Sequence, residues 1–201
     1  MKGQQKKIMK NFFRKVGFGI NPNKKIPSDP LKWAQNQITD TVPEFSYKGK
    51  IYSEKEMRKF YRDWVYNDRE KLRKKFKKDK KGYKAAKRKL RADTGQKFWK
   101  NLEIAIRHKD AISSDHPVFT KLWYFWTNHF TISDKDMLAD YSTGAYQREV
   151  IRANLNKTFE ELTYEATVAW AMILHLDNSE NVGPKSEDAR AEWRRRKKRP
   201  A

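Results

Sequence analysis

From Val118 to Ser133 the chain reads VFTKLWYFWTNHFTIS, with six large aromatics (Phe119, Trp123, Tyr124, Phe125, Trp126, Phe130) and one histidine, His129. Each ring can bury about 150–250 Å². A segment like this cannot remain in water, so the fold must be built around it. Asp115 and Pro117 stand where a helix start places a capping residue and an early proline. Behind them Val118, Leu122, Phe125, Trp126 and His129 recur at helical spacing, which predicts that these five share the buried face.

Helix signals run through the rest of the chain. Ser28-Asp29-Pro30 predicts a short helix to about Ile38. Ser53 with Glu56 spells a capping box, in which two side chains satisfy each other's free backbone donors. Met57, Phe60, Tyr61 and Trp64 follow as an apolar stripe, continued thinly by Leu72 and Phe76. After a break near Asp93-Thr94-Gly95, a second stripe contains Phe98, Leu102, Ala105 and Ile106. Asp134 and Asp136 read as a helix cap and a first-turn charge. Thr158 with Glu161 spells a second capping box, opening one helix to about Leu176, which a turn-rich loop from Asn178 to Pro184 ends. Only Phe45 to Tyr52, with Gly49 inside it, suits a small hairpin. The fold class is all-α: an irregular multi-helix domain with a long basic helical arm and a basic C-terminal tail.

The charge is concentrated in those two appendages. Of the net +21, Arg69 to Arg91 supplies +12, from fourteen Lys or Arg against Glu70 and Asp79. Arg190 to Arg199 supplies another +6, seven cations against Glu192, which leaves +3 for everything else. The apolar fraction, 37%, is below the usual 45–50% or so because of these segments. The remainder, with 7 Trp, 9 Tyr and 11 Phe, suffices for a core. A single helical domain is expected over 1–184, with the arm inserted at about 66–93 and a tail at 185–201. Without cysteine there are no disulfides and no thiolate metal sites. No apolar run approaches the roughly 20 residues of a membrane span, and the basic N-terminus lacks the apolar stretch of an export signal, so the sequence reads as cytoplasmic.

His129, on an apolar helix face, suits either a buried neutral ring or a metal ligand or proton carrier completed from elsewhere. Asp177 and Asn178, behind His175 at a helix end, suit either a polar or metal site or a plain cap and turn. In the arm, Lys74, Lys75, Lys77, Lys78, Lys87 and Arg88, with Tyr83 nearby, suit either a phosphate backbone or a solvated face. The chain contains no HExxH, no GxxxxGK and no GxSxG, and the Gly17–Gly19 pair lacks both the third glycine and the preceding strand of a dinucleotide loop.

Several spaced blocks resemble one family. Leu122 through Ser133 is similar to the aromatic–NHF–T–S helix of the domain of unknown function 1800 family. Tyr146 to Arg152, Phe159, Leu162, Met172 through Asn178 and Val182-Gly183-Pro184 resemble its second block, and Arg14, Phe18 and Gly19 its N-terminal signature. His175 departs from the tyrosine usual there. The family's later N-E-N-x-A-R-E and E-L-H-T block is missing, so the resemblance implies an N-terminal portion, with Arg190 to Arg199 resembling the linker before that block. It also implies exported relatives beside a sulfatase-like partner protein. For a full-length member it implies a metal-assisted, hydrolase-like site using His129 and Asp177, with a divalent metal as its cofactor. This chain alone is expected not to be catalytic; the other expectation is a basic module for nucleic acid or another polyanion.

Overall fold

In a computed structural model the protein is described over residues 2–39, 41–45, 47–93, 95–133, 137–178 and 181–197. The helices are α1 Lys2–Val16, α2 Pro30–Gln35, α3 Glu54–Arg62, α4 Arg69–Lys75, α5 Lys80–Asp93, α6 Gln96–Ser113, α7 Pro117–His129, α8 Met137–Ala145, α9 Phe159–Val168, α10 Trp170–His175 and α11 Glu187–Lys197. Two π-helical stretches, Asp63–Asp68 and Tyr146–Ile151, join α3 to α4 and extend α8. No strand occurs among the described residues.

Three helix starts follow their local chemistry, whereas α7 starts after His116 without a side-chain cap, because Asp115 pairs with Lys24 instead. Asp29 accepts the Lys32 N–H at 3.0 Å and Pro30 takes the first helical position. The helix ends at Gln35, a little before Ile38. Both capping boxes form: the Ser53 and Thr158 N–H groups donate to Glu56 and Glu161 at 2.9 Å, and the return bonds are 3.2 Å. Glu56 and Glu161 both titrate below the ordinary carboxylate value because the Ser53 and Thr158 backbone N–H groups donate to them. Asp134 and Asp136 lie outside the described residues, as does Thr94.

The core has two adjoining parts. One gathers Trp123, Ile132, Tyr146, Ile151, Leu162, Ala166, Ala171 and Met172 from α7 through α10. The other gathers Met57, Trp64, Tyr141 and Ala145 where α3 meets α8, with Leu90 of α5 and Trp99 of α6 against it. Tyr61 joins them, its ring 5.9 Å from Tyr141 and 5.7 Å from Trp170.

Two expectations are corrected. The segment 45–52 is irregular among its described residues and is pinned by its rings: Phe45 stands edge-on to Trp123 at 6.0 Å, and Tyr52 to Trp99 at 4.5 Å. Gly49 makes room for the ring of Tyr47, where a Cβ would come within 2.5 Å, rather than forming a hairpin turn. The expected helix from Thr158 to Leu176 breaks at Ala169, whose ψ of 137° is extended, and Trp170 then reaches Tyr61. Residues 187–197 of the tail are helical, with Trp193 59% exposed.

The helix α8 crosses α6 at Gly144, where a Cβ would approach the Glu103 Cβ to 2.5 Å. Gly144→Ala would add about 1 kcal/mol of stability in an open helix. Here overpacking should dominate and lower stability by about 1–3 kcal/mol, read by denaturant unfolding. A variant as stable as the parent would show that the crossing has slack.

Candidate functional site

His129 is the last residue of α7, and it is exposed. The buried residues of α7 are Val118, Phe119, Thr120, Trp123 and Thr127. Of the five positions expected on the buried face, only Val118 is fully buried, and Phe125 is 58% exposed. Apolar side chains occur almost all round this helix, so periodicity could not choose the face. Specific bonds choose it: Trp123 Nε1 donates to the Gln147 carbonyl at 2.6 Å, and the Thr120 hydroxyl donates to Asp110 at 2.7 Å. The His129 ring stacks on Phe125 at 6.5 Å and meets the edges of Trp126 and Phe130 at 5.4 and 4.8 Å.

Asp177 is exposed just past α10, with φ of 56° and its N–H donating to the Leu174 carbonyl. The Asn178 side-chain oxygen accepts from Asn181 at 2.9 Å. Among the described residues no hydrogen bond joins either to His129, and no group of three His, Asp or Glu is placed to hold a metal ion.

The basic candidates fall into two places. Lys74 and Lys75 end α4, and Lys77 and Lys78 lie in the turn after it, all exposed. Lys74 stands 3.9 Å from Glu70 with both side chains exposed, a pair that neutralises little. Lys87 and Arg88 belong instead to a stripe on α5, with Lys84 and Arg91. That stripe meets Lys97 and Lys100 of α6 across a groove of about 650 Å³. Lys97 and Lys100 were not legible as site residues because the basic run in the sequence stops at Arg91. Their only local signal is a three-residue spacing on one helix face.

A second hollow, about 490 Å³, lies between the end of α1, the loop after it and the α6–α7 junction, with Phe13, Phe18, Trp33 and Ile112 among its walls. At its rim Lys24 already donates to Asp115 at 2.6 Å and to the Ser114 carbonyl at 2.8 Å. That bond holds the Asp115 carboxyl below its ordinary range. Lys25 is the other charged residue in its wall.

Two internal arginines, Arg152 buried and Arg148 half-buried, went unread in the sequence. Arg148 reaches Glu103 at 3.0 Å, Glu149 at 2.8 Å and the Tyr52 carbonyl at 2.6 Å. Burial opposes its charge, but the two carboxylates hold its pKa above the usual arginine value. Arg152 lies with its guanidinium 5.2 Å from Phe45, 5.3 Å from Phe119 and 5.7 Å from Trp123, donating to the Pro43 carbonyl at 2.7 Å. Burial pushes its pKa down. Both arginines join elements of the fold.

The geometry defines an all-α domain with a cation-lined groove on its basic arm. A family model described as protein of unknown function (DUF1800) matches residues 11–189. The chain therefore belongs to the DUF1800 family. No curated protein and no solved structure matches it. The N-terminal blocks that carried the resemblance meet in space: Phe18 packs edge-on to Tyr124 at 5.3 Å, with Lys121 over its ring at 5.0 Å.

Arg152→Ala should lower stability by at least about 2 kcal/mol, because desolvated cation–π contacts and a buried hydrogen bond are lost together. Arg152→Lys should recover only part, since a point charge cannot stack on three rings. Equal melting of Arg152→Ala and the parent would show that the box of rings closes without its cation.

Proposed function

We propose that this protein binds polyanions through the arm formed by α4 and α5. The observation that supports this reading is the placement of charge: fourteen cations against two carboxylates over Arg69 to Arg91, on helices with no buried residue. A folded chain gains nothing from such self-repulsion, whereas a polyanion relieves it and releases its own counterions. Lys74, Lys75, Lys77, Lys78, Lys87 and Arg88 are the proposed contacts. Affinity in this reading is electrostatic and sequence-tolerant, because phosphate or sulfate contacts position a ligand without reading it.

Retention on heparin should fall steeply with salt. Changing the six contacts to Gln should move elution to a markedly lower salt concentration, with helicity unchanged by circular dichroism. Elution of the six-fold variant with the parent would reject the arm as the binding surface.

A further inference from the structure

Resting on the polyanion reading, we propose a specific seat for the ligand: the groove between α5 and α6 holds the phosphodiester backbone of single-stranded nucleic acid, with Phe98 beside it as a stacking surface for a base.

Lys84, Lys87, Arg88 and Arg91 are spaced i, i+3, i+4, i+7, the pattern that places four side chains on one face of a helix. Apolar residues ordinarily occupy such a stripe where two helices face each other. Here it is cationic, and across the groove α6 presents Lys97 and Lys100. Among the described residues no carboxylate lines the groove. Like charges at i, i+4 destabilise a helix, and Lys84 with Arg88 and Lys87 with Arg91 are two such pairs. The orientation is not loose: half-buried Tyr83, Ala86 and Leu90 lie on another face of α5, and Leu90 packs on the core with Met57 and Trp64. The core contact therefore fixes the cations toward α6. Arg91 and Lys100 also have interactions within the protein, which leaves Lys84, Lys87, Arg88 and Lys97 as the cations that would meet a ligand.

Charge alone does not distinguish nucleic acid from other polyanions. Phe98 does. It follows Lys97 and precedes Asn101 by three residues on α6, both of which line the groove, so it stands next to the groove wall rather than in it; it is held edge-on to Trp99 at 5.0 Å, yet it remains 61% exposed. An open ring beside a phosphate-binding groove is the arrangement that stacks an unpaired base while the backbone follows the cations. A duplex keeps its bases stacked on one another and leaves that ring unused.

The test is fluorescence anisotropy of the full chain with labelled oligo-deoxythymidine, an equal-length DNA duplex and inorganic polyphosphate. Two sets of variants remove equal charge: K84Q/K87Q/R88Q/K97Q in the groove and K74Q/K75Q/K77Q/K78Q outside it. The groove set should weaken oligo-deoxythymidine binding at least about tenfold more than the outer set. F98A should weaken it roughly 5- to 100-fold while polyphosphate binding stays unchanged. Without ligand, the groove set should melt no lower than the parent, since repulsion is removed. A lower melting point would mean that these cations serve the fold, and would overturn the proposal. Equal losses from the two sets would overturn the groove and leave the arm reading standing. Tighter duplex binding, or an inert F98A, would overturn the single-strand assignment. Failure of the parent to bind any of the three would overturn both readings.

Discussion

The guanidinium of Arg148 holds the domain together at one point. It joins α6 through Glu103, its own π-helical stretch through Glu149, and the segment ahead of α3 through the Tyr52 carbonyl. Glu149 in turn accepts the Glu54 N–H at 2.8 Å, in the first turn of α3. A buried cation is tolerated only when its charge and donors are matched, and removing one partner strands the others. Gly144 belongs to the same device, because its missing side chain lets Glu103 approach. One turn beyond Arg148, Arg152 lies among three aromatic rings and donates to one carbonyl, while its buried Nε has no hydrogen-bond partner.

These anchors determine what the arm can do. Trp64, 1% exposed, fixes the helix that runs from Glu54 into α4, and Leu90 fixes α5 from the other side. Both ends of the basic segment are therefore tied to the core. Its cations are mostly lysines in water, whereas the two internal ones described above are arginines. Planar guanidinium suits bidentate bonds and ring faces, while an ammonium stays readily solvated.

Much of the fold was legible locally. The caps at Asp29, Ser53 and Thr158 form as their spacing specified, because a cap is a bond between residues three apart. The break at Ala169 was not legible: no glycine or proline marks it, and the gain that accompanies it, Trp170 on Tyr61, lies more than a hundred residues away in sequence. His129 shows the same limit. Its helical position was readable, but a helix with apolar residues nearly all round has no single preferred face until partners choose one.

By itself, the sequence determined the helical class, the helix starts, the family blocks and the separation of charge into an arm and a tail, all of which depend on neighbours along the chain. Only the tertiary structure decided which face of α7 is buried, that Arg148 and Arg152 are internal, and that Lys97 and Lys100 stand opposite the stripe on α5. Those outcomes depend on contacts between distant segments, and charge or periodicity read along one segment does not contain them.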